Sequence, residues 1–394
     1  MVTRGAVRER IRRIVLPPFD PLNARAAELR AAGYHVISLG QAVPDFPPPE
    51  AALHAARTAI DHPAINRYVT DPGLPGLREA LASKLEPLTA GPGRARRDDV
   101  LITAGANHAF TLVLNTLVDA GDEVILHAPY FTNHYGAIVA AGATPIEAPV
   151  ADRITFAVRW SDIAPHVTAK TKAVVLCNPS NPTGAPVAAA DGIEIVEELR
   201  QRGVFVISDE TYMHFVFEGA HWSAASVDGW RETVVVIGTF SKSFGMMGWR
   251  VGFVLVDASI CAEAVKVQDA MIICAPAISQ VAAEAAVREN WTYAVKFHPE
   301  LRARRQILAD GLAAIPRVRW TPARGGLFAF AHVDGCLDST QLARDLLEQA
   351  HVVTIPGAAF GPYGEGFLRI SYGSASQPEL IEAVRRLASF LSSV

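Results

Sequence analysis

The chain has 394 residues, half of them hydrophobic, so it can bury a sizeable core and fill two or three domains or one large enzyme fold. A formal net charge of −4 gives no basic surface to attract nucleic acid and no extreme acidity. The four cysteines, Cys177, Cys261, Cys274 and Cys336, lie far apart without a CxxC; this fits reduced thiols in a cytosolic protein better than a disulfide or zinc framework, and no metal is expected.

The basic N-terminal stretch RGAVRERIRRI carries Glu9 and lacks both an apolar core and a small-residue cleavage site. A solvated helix suits it better than a targeting peptide. No apolar run approaches the roughly 18–20 residues of a membrane span, so no membrane is expected as a partner. The Pro-rich VPDFPPPE marks a crossover between two parts of the chain.

From about residue 99 onward, short Val- and Ile-rich runs recur at Val100–Thr103, Glu123–Leu126, Ala173–Cys177, Val204–Ile207, Val234–Ile237 and Val251–Val256. They are apolar nearly throughout, as strands covered on both faces should be. Helical patterns lie between them. Phe110, Val113, Leu114 and Leu117 make one stripe. Ile195, Val196 and Leu199 make another, with Gly203 as its stop. Alternation of this kind predicts an α/β fold with a mainly parallel sheet flanked by helices. Beyond about residue 290, charged helical patterns alternate with shorter strand-like pieces such as GGLFAFAHV and GFLRISYG, the texture of a smaller α+β domain. The division expected is 46–290 for a large domain, and 1–45 with 291–394 for the small one.

Ligands of open α/β sheets bind outside the carboxyl ends of the strands. The residues after successive strands are TAGANHA, HAPYFTNH, CNPSNPTG, SDETY and TFSKSFGMMGWR. Each alone has an ordinary explanation: a strand–helix turn, a double turn, a helix cap, a solvated lysine. Five in succession at one end of a sheet make a site. Small residues before a helix, as at Gly105-Ala106-Asn107, let backbone amides approach a phosphate.

The combination resembles the fold-type I, pyridoxal phosphate-dependent aminotransferases of class I/II. The likeness runs from SLGQAVPDFPPPE through NRYVTDPGLPGLREAL to FLRISYGSAS. Its most specific part is SKSFGMMGWRVG, with NPTG and DETY upstream in order and spacing.

The resemblance implies pyridoxal 5'-phosphate, held as a Schiff base on Lys242, which needs a nearby cation or desolvation to keep part of its amine neutral. Arg250 would bind the phosphate, with hydroxyls of Thr239 and Ser241 and the backbone at Gly105, Ala106 and Asn107. Asp209, in preference to its neighbour Glu210, would face the pyridine nitrogen. Asn181 and Tyr212 would contact the ring hydroxyl, and Phe131 would stack on the ring. Arg369 would clamp the substrate α-carboxylate and Gly40 would close over it. Tyr68 would reach the phosphate of a neighbouring subunit, implying a homodimer.

The expected reaction moves an amino group from an L-amino acid to a 2-oxo acid with ping-pong kinetics. GQAVPDFPPP resembles glutamine-, kynurenine- or methionine-type members more than dicarboxylate enzymes, which favours a neutral or aromatic donor. Two other readings stay open: another reaction on the same scaffold, such as β-elimination, oxidation or cyclisation, and a non-catalytic regulatory homologue.

Overall fold

The structure is a computed structural model that describes residues 7–91 and 94–392. Among the described residues thirteen strands are formed: β1 Ile37–Ser38, β2 Val100–Thr103, β3 Glu123–Ala128, β4 Thr144–Pro149, β5 Thr171–Cys177, β6 Phe205–Asp209, β7 Val234–Thr239, β8 Gly252–Leu255, β9 Val318–Arg319, β10 Phe328–Val333, β11 Val352–Val353, β12 Ile355–Pro356 and β13 Phe367–Ser371. Of the N-terminal basic stretch, one helical turn, Glu9–Arg12, is formed; residues 4–6 of it lie outside the described residues.

The large sheet has the order β2-β8-β7-β6-β5-β3-β4. All its neighbouring pairs are parallel except the two made by β8. The expected mainly parallel sheet is therefore present. Successive side chains of a strand point to opposite faces. Here Val174, Leu176, Val206 and Val236 enter one core, while Ala173, Val175, Ile207, Val235 and Ile237 enter the other. Both faces are covered, so both sets of positions must be apolar. That is why these strands read as unbroken hydrophobic runs. The stripes on the helices Ala106–Leu117 and Ala189–Gln201 supply cover: Phe110 and Val113 to one side, Ile195, Val196 and Leu199 to the other.

β4 is a strand that the sequence pattern did not announce. It sits at the sheet edge, carries Pro145 and Pro149, and is mostly half-buried. Proline is tolerated at an edge, where a missing N–H breaks no ladder.

A second sheet, β12-β13-β10-β9, is antiparallel, and β1 pairs in parallel with β11. β13 lies inside this sheet, between β10 and β12, with Arg369 opposite Phe330 and Ile355.

The direction of β8 matters for the site. β7 ends at Thr239, the chain turns, and β8 returns antiparallel from Gly252. The intervening loop thus stays at the end of the sheet where the parallel strands finish. Gly238 and Phe253 are register partners across this pair, and the Phe253 ring occupies the space that a Cβ on Gly238 would need. Overpacking a tight core typically costs about 1–3 kcal/mol. Gly238→Ala should therefore lower the urea midpoint with an unchanged m-value. An unchanged midpoint would show that Phe253 swings aside freely.

Candidate active site

Just beyond the carboxyl ends of the parallel strands lies a cavity of about 410 Å³. Its wall includes Ala106, Asn107, Phe131, Asn181, Asp209, Tyr212, Thr239, Ser241, Lys242, Arg250 and Arg369. Eleven positions singled out from the sequence thus share one space, although they span residues 106 to 369. Gly105 adjoins it and Gly40 touches it through Arg369. Tyr68 does not line it: its side chain is 77% exposed on this chain's surface.

Lys242 stands in a single helical turn, Phe240–Ser243, whose other three residues are buried. Thr239 caps the turn, its Oγ1 accepting the Ser241 amide at 3.2 Å and donating to Ser241 Oγ at 3.0 Å. Burial, and then the charges of Arg369 and Arg250, pull the Lys242 ammonium down to about 8. Among the described residues no carboxylate lies within ion-pair distance to reverse this.

Arg250 adopts a left-handed backbone, φ 52° and ψ 58°. Its guanidinium donates to the carbonyls of Met247 at 3.0 Å and Ala104 at 3.4 Å. A Cβ on Gly105 would stand 2.6 Å from Arg250 Nη2. Gly105, at φ +87°, therefore leaves room for the fork beside the first turn of the helix Ala106–Leu117. The fork and the helix terminus together form a cradle suited to an anion.

Asp209 is buried at the end of β6, in the interior of the sheet. Burial pushes its carboxyl up, but the hydrogen bond and attraction of His134, with donors from Thr211, outweigh burial and hold it below the usual carboxylate range. The Oδ2–His134 Nε2 distance is 3.0 Å, and Oδ1 accepts the Thr211 amide at 3.0 Å. Glu210 is absent from the cavity wall. Its Oε1 accepts from Ser208 Oγ, Ser223 Oγ and the Ala224 amide, and its Oε2 lies 2.8 Å from His221 Nε2.

Arg369 is 2% exposed. It donates to Asn181 Oδ1 at 3.0 Å and to the Gly40 carbonyl at 2.7 Å, while its Nε is buried without a partner. The rings of Phe19, Phe328 and Phe360 surround it at 5.0–5.5 Å. Burial pulls this guanidinium down to about 10, and no carboxylate pairs with it among the described residues. A surface ion pair is excluded. Tyr212, packed edge-on against Phe328, is pushed above the usual phenol range by burial.

His134, Phe19, Met247 and Cys177 belong to the site or touch it without having been singled out from sequence. For His134 a signal existed. It lies three residues after Phe131 at the start of the helix Thr132–Ala141, which places both on one side of that helix.

Comparison with known proteins gives a consistent picture. The family described as aminotransferase class I and II matches residues 34–387. An aspartate aminotransferase of Pyrococcus abyssi is 34% identical over 92% of this chain and 94% of its own length. Aromatic-amino-acid aminotransferase 2 of Thermococcus litoralis is 32% identical over 90% of this chain and 92% of its own. The structure of an alanine aminotransferase from Pyrococcus furiosus superposes with a TM-score of 0.91 at 28% identity, covering 98% of this chain and all of that one.

The lowered amine of Lys242 can be read directly. In cofactor-free protein, reductive methylation followed by peptide mapping should label Lys242 with a half-maximal rate near pH 8. A depressed pKa means that the reactive neutral amine appears at lower pH. A midpoint near the ordinary lysine value of about 10.4 would show that burial and the two arginines do not act on it.

Proposed function

The chain belongs to the aminotransferase class I and II family, and from that premise we propose the role of each residue around the cavity. The enzyme is a pyridoxal phosphate-dependent aminotransferase that moves an amino group between an amino acid and a 2-oxo acid.

The donor set fits this cofactor. A cradle relieved of a Cβ at Gly105, a buried carboxylate kept charged and an amine lowered to about 8 stand around one cavity. Lys242 would carry the cofactor covalently. Arg250, Ser241, Thr239 and the amides at Gly105–Asn107 would hold its phosphate. Asp209 would keep a proton on the ring nitrogen, with Phe131 against the ring and Tyr212 and Asn181 at its hydroxyl. When bound, pyridoxal phosphate supplies an aldehyde that condenses with amines and a ring that absorbs the charge left by loss of the α-proton.

Lys242 takes the α-proton as general base and returns it as general acid. An amine near pKa 8 suits both duties at neutral pH, because a useful fraction is free while the conjugate acid still donates readily. Arg369 orients the substrate by its α-carboxylate, and Asn181 and the Gly40 carbonyl hold the guanidinium in place. The observation that carries this reading is the buried, carboxylate-free Arg369 facing the same cavity as Lys242. Its Nε is buried without a partner, so the protein alone does not satisfy the guanidinium's donors.

The donor is a neutral or aromatic amino acid. The cations on the cavity wall are Lys242, Arg250 and Arg369, and all three are engaged by the scheme above. The remaining wall, with Phe19, Ala42, Val43 and Met247, is largely apolar. We also read the protein as a cytoplasmic homodimer in which Tyr68 serves the partner's site; its exposure away from this chain's cavity supports that reading. The pairing of β1 with β11 supports 1–45 and 291–394 as a small domain beside 46–290.

Lysine cannot reproduce the planar fork of arginine. Arg369→Lys should keep the visible absorption of the bound cofactor and transaminate amino acids about 100-fold more slowly, on the scale of a mispositioned substrate. Amines without a carboxylate should be nearly unaffected. Equal losses for both substrate types would remove Arg369 from the clamp. A donor panel against 2-oxoglutarate and pyruvate tests the substrate class: kcat/KM for aspartate above that for phenylalanine or methionine would overturn it.

A further inference from the structure

Three chain segments meet beside Lys242 outside the cavity wall. The turn Phe240–Ser243 is too short to hold itself, since an isolated helical turn is unstable. Its last residue, Ser243, is buried, and Ser243 Oγ lies 2.8 Å from His214 Nδ1. His214 stands two residues after Tyr212, on the segment that begins with Asp209. It is itself fixed on several sides. The Trp291 ring meets it edge-on at 4.8 Å, and its carbonyl accepts from His298 Nε2 at 2.7 Å. His298 opens the helix His298–Ala313. Burial, and then the neighbouring His221 and His298, pull His214 down to about 3, so the imidazole is neutral.

We propose that His214 is a positioning residue for the transamination: through its hydrogen bond to Ser243 it fixes the turn that carries Lys242, so that the amine meets the substrate carbon. The inference rests on the reading of Lys242 as the proton-transferring lysine. The geometry makes the link specific. Asp209 and Tyr212 are placed by one segment and Lys242 by another, and the His214–Ser243 bond joins the two within two residues of Tyr212 and one of Lys242. A buried neutral imidazole offers a fixed donor or acceptor at Nδ1, and the serine hydroxyl rotates to complement it. Small displacements at a reacting group cost heavily, so a bond that contributes little to stability can still set the rate.

The test uses the full-length holoenzyme with His214→Phe, His214→Asn, Ser243→Ala and the His214→Phe/Ser243→Ala double variant. His214→Phe and Ser243→Ala should each lower kcat by about 10- to 100-fold, with KM for the amino donor changed less than about 2-fold. The double variant should lose no more than the worse single one, because both remove one shared bond. His214→Asn places a polar atom near the former Nδ1 and should recover most of kcat. In cofactor-free protein, the pH midpoint for labelling Lys242 should rise in His214→Phe and Ser243→Ala as the amine loses its fixed place near Arg369 and Arg250. Wild-type kcat in Ser243→Ala, multiplying losses in the double variant, or a KM effect alone would each overturn the proposal. Should His214→Phe fail to fold, Ser243→Ala, which removes one oxygen, decides by itself. Borohydride reduction of wild-type holoenzyme separates the premise from the inference: an adduct on another lysine defeats the reading of Lys242 and the positioning role with it.

Discussion

A guanidinium buried without a carboxylate is the constraint around which the site is arranged. Arg369 has given up water for two neutral acceptors, three aromatic faces and an Nε with no partner. Burying a charge is expensive unless it is paired. The protein tolerates the cost because β13 is locked between β10 and β12, with Leu368 and Ile370 packed on the side opposite the arginine. The unmet demand for an anion is thereby aimed at the cavity. It is also felt by Lys242, whose ammonium is disfavoured by burial and by this same positive charge. One strained electrostatic arrangement thus yields both a receptor for a carboxylate and a lysine that can act as a base.

At the other side of the cavity the charge logic is inverted. Asp209 and Glu210 are consecutive, buried carboxylates, and the pleat sends them to opposite faces. Asp209 meets the cavity and keeps its charge through His134 and Thr211. Glu210 spends its oxygens on two serines, one amide and His221, which makes it a structural anchor of the segment Ser208–Ala224. The sequence SDETY leaves both carboxylates as candidates. The fold separates them by which face each one occupies.

Much of this was legible from residues alone, for reasons that can be stated. The interior strands announced themselves because burial on both faces forces apolar residues at every position. The edge strand β4 did not, since its prolines and Glu147 are permitted only where one side of the ladder is free. Lys242, Arg250, Asp209 and Arg369 were visible because each lies in a short, distinctive local pattern. His134 was less plain: its spacing from Phe131 marks it, but its bond to Asp209 spans 75 residues of chain. Phe19 likewise reaches Arg369 from the far N-terminal helix Phe19–Ala31, and nothing in its local sequence predicts that encounter. The reversed direction of β8 was equally hidden, although it is what returns Arg250 to the end of the sheet where Lys242 stands.

Lys242 follows β7 of the large sheet and Arg369 stands on β13 of the second, so the distance between the reacting amine and the carboxylate receptor depends on contacts between the two sheets and their loops. Among them are backbone bonds between loops that leave the large sheet and the loop that enters β10. The Gly325 amide donates to the Gly184 carbonyl at 3.1 Å, the Gly326 amide to Phe215 at 2.9 Å, and the Phe217 amide to Arg324 at 2.7 Å. A Cβ on Gly184 would approach the Gly325 carbonyl to 2.6 Å, and one on Gly325 would approach the Phe215 carbonyl to 2.8 Å. Backbone must therefore meet backbone here, and only residues without a side chain allow it. The same strip follows directly on Asp209, Tyr212 and His214 and leads into β10, the neighbour of the strand that carries Arg369. Backbone hydrogen bonds at such close approach admit little lateral play, so main chain registers the two halves of the site alongside the Arg369–Asn181 bond.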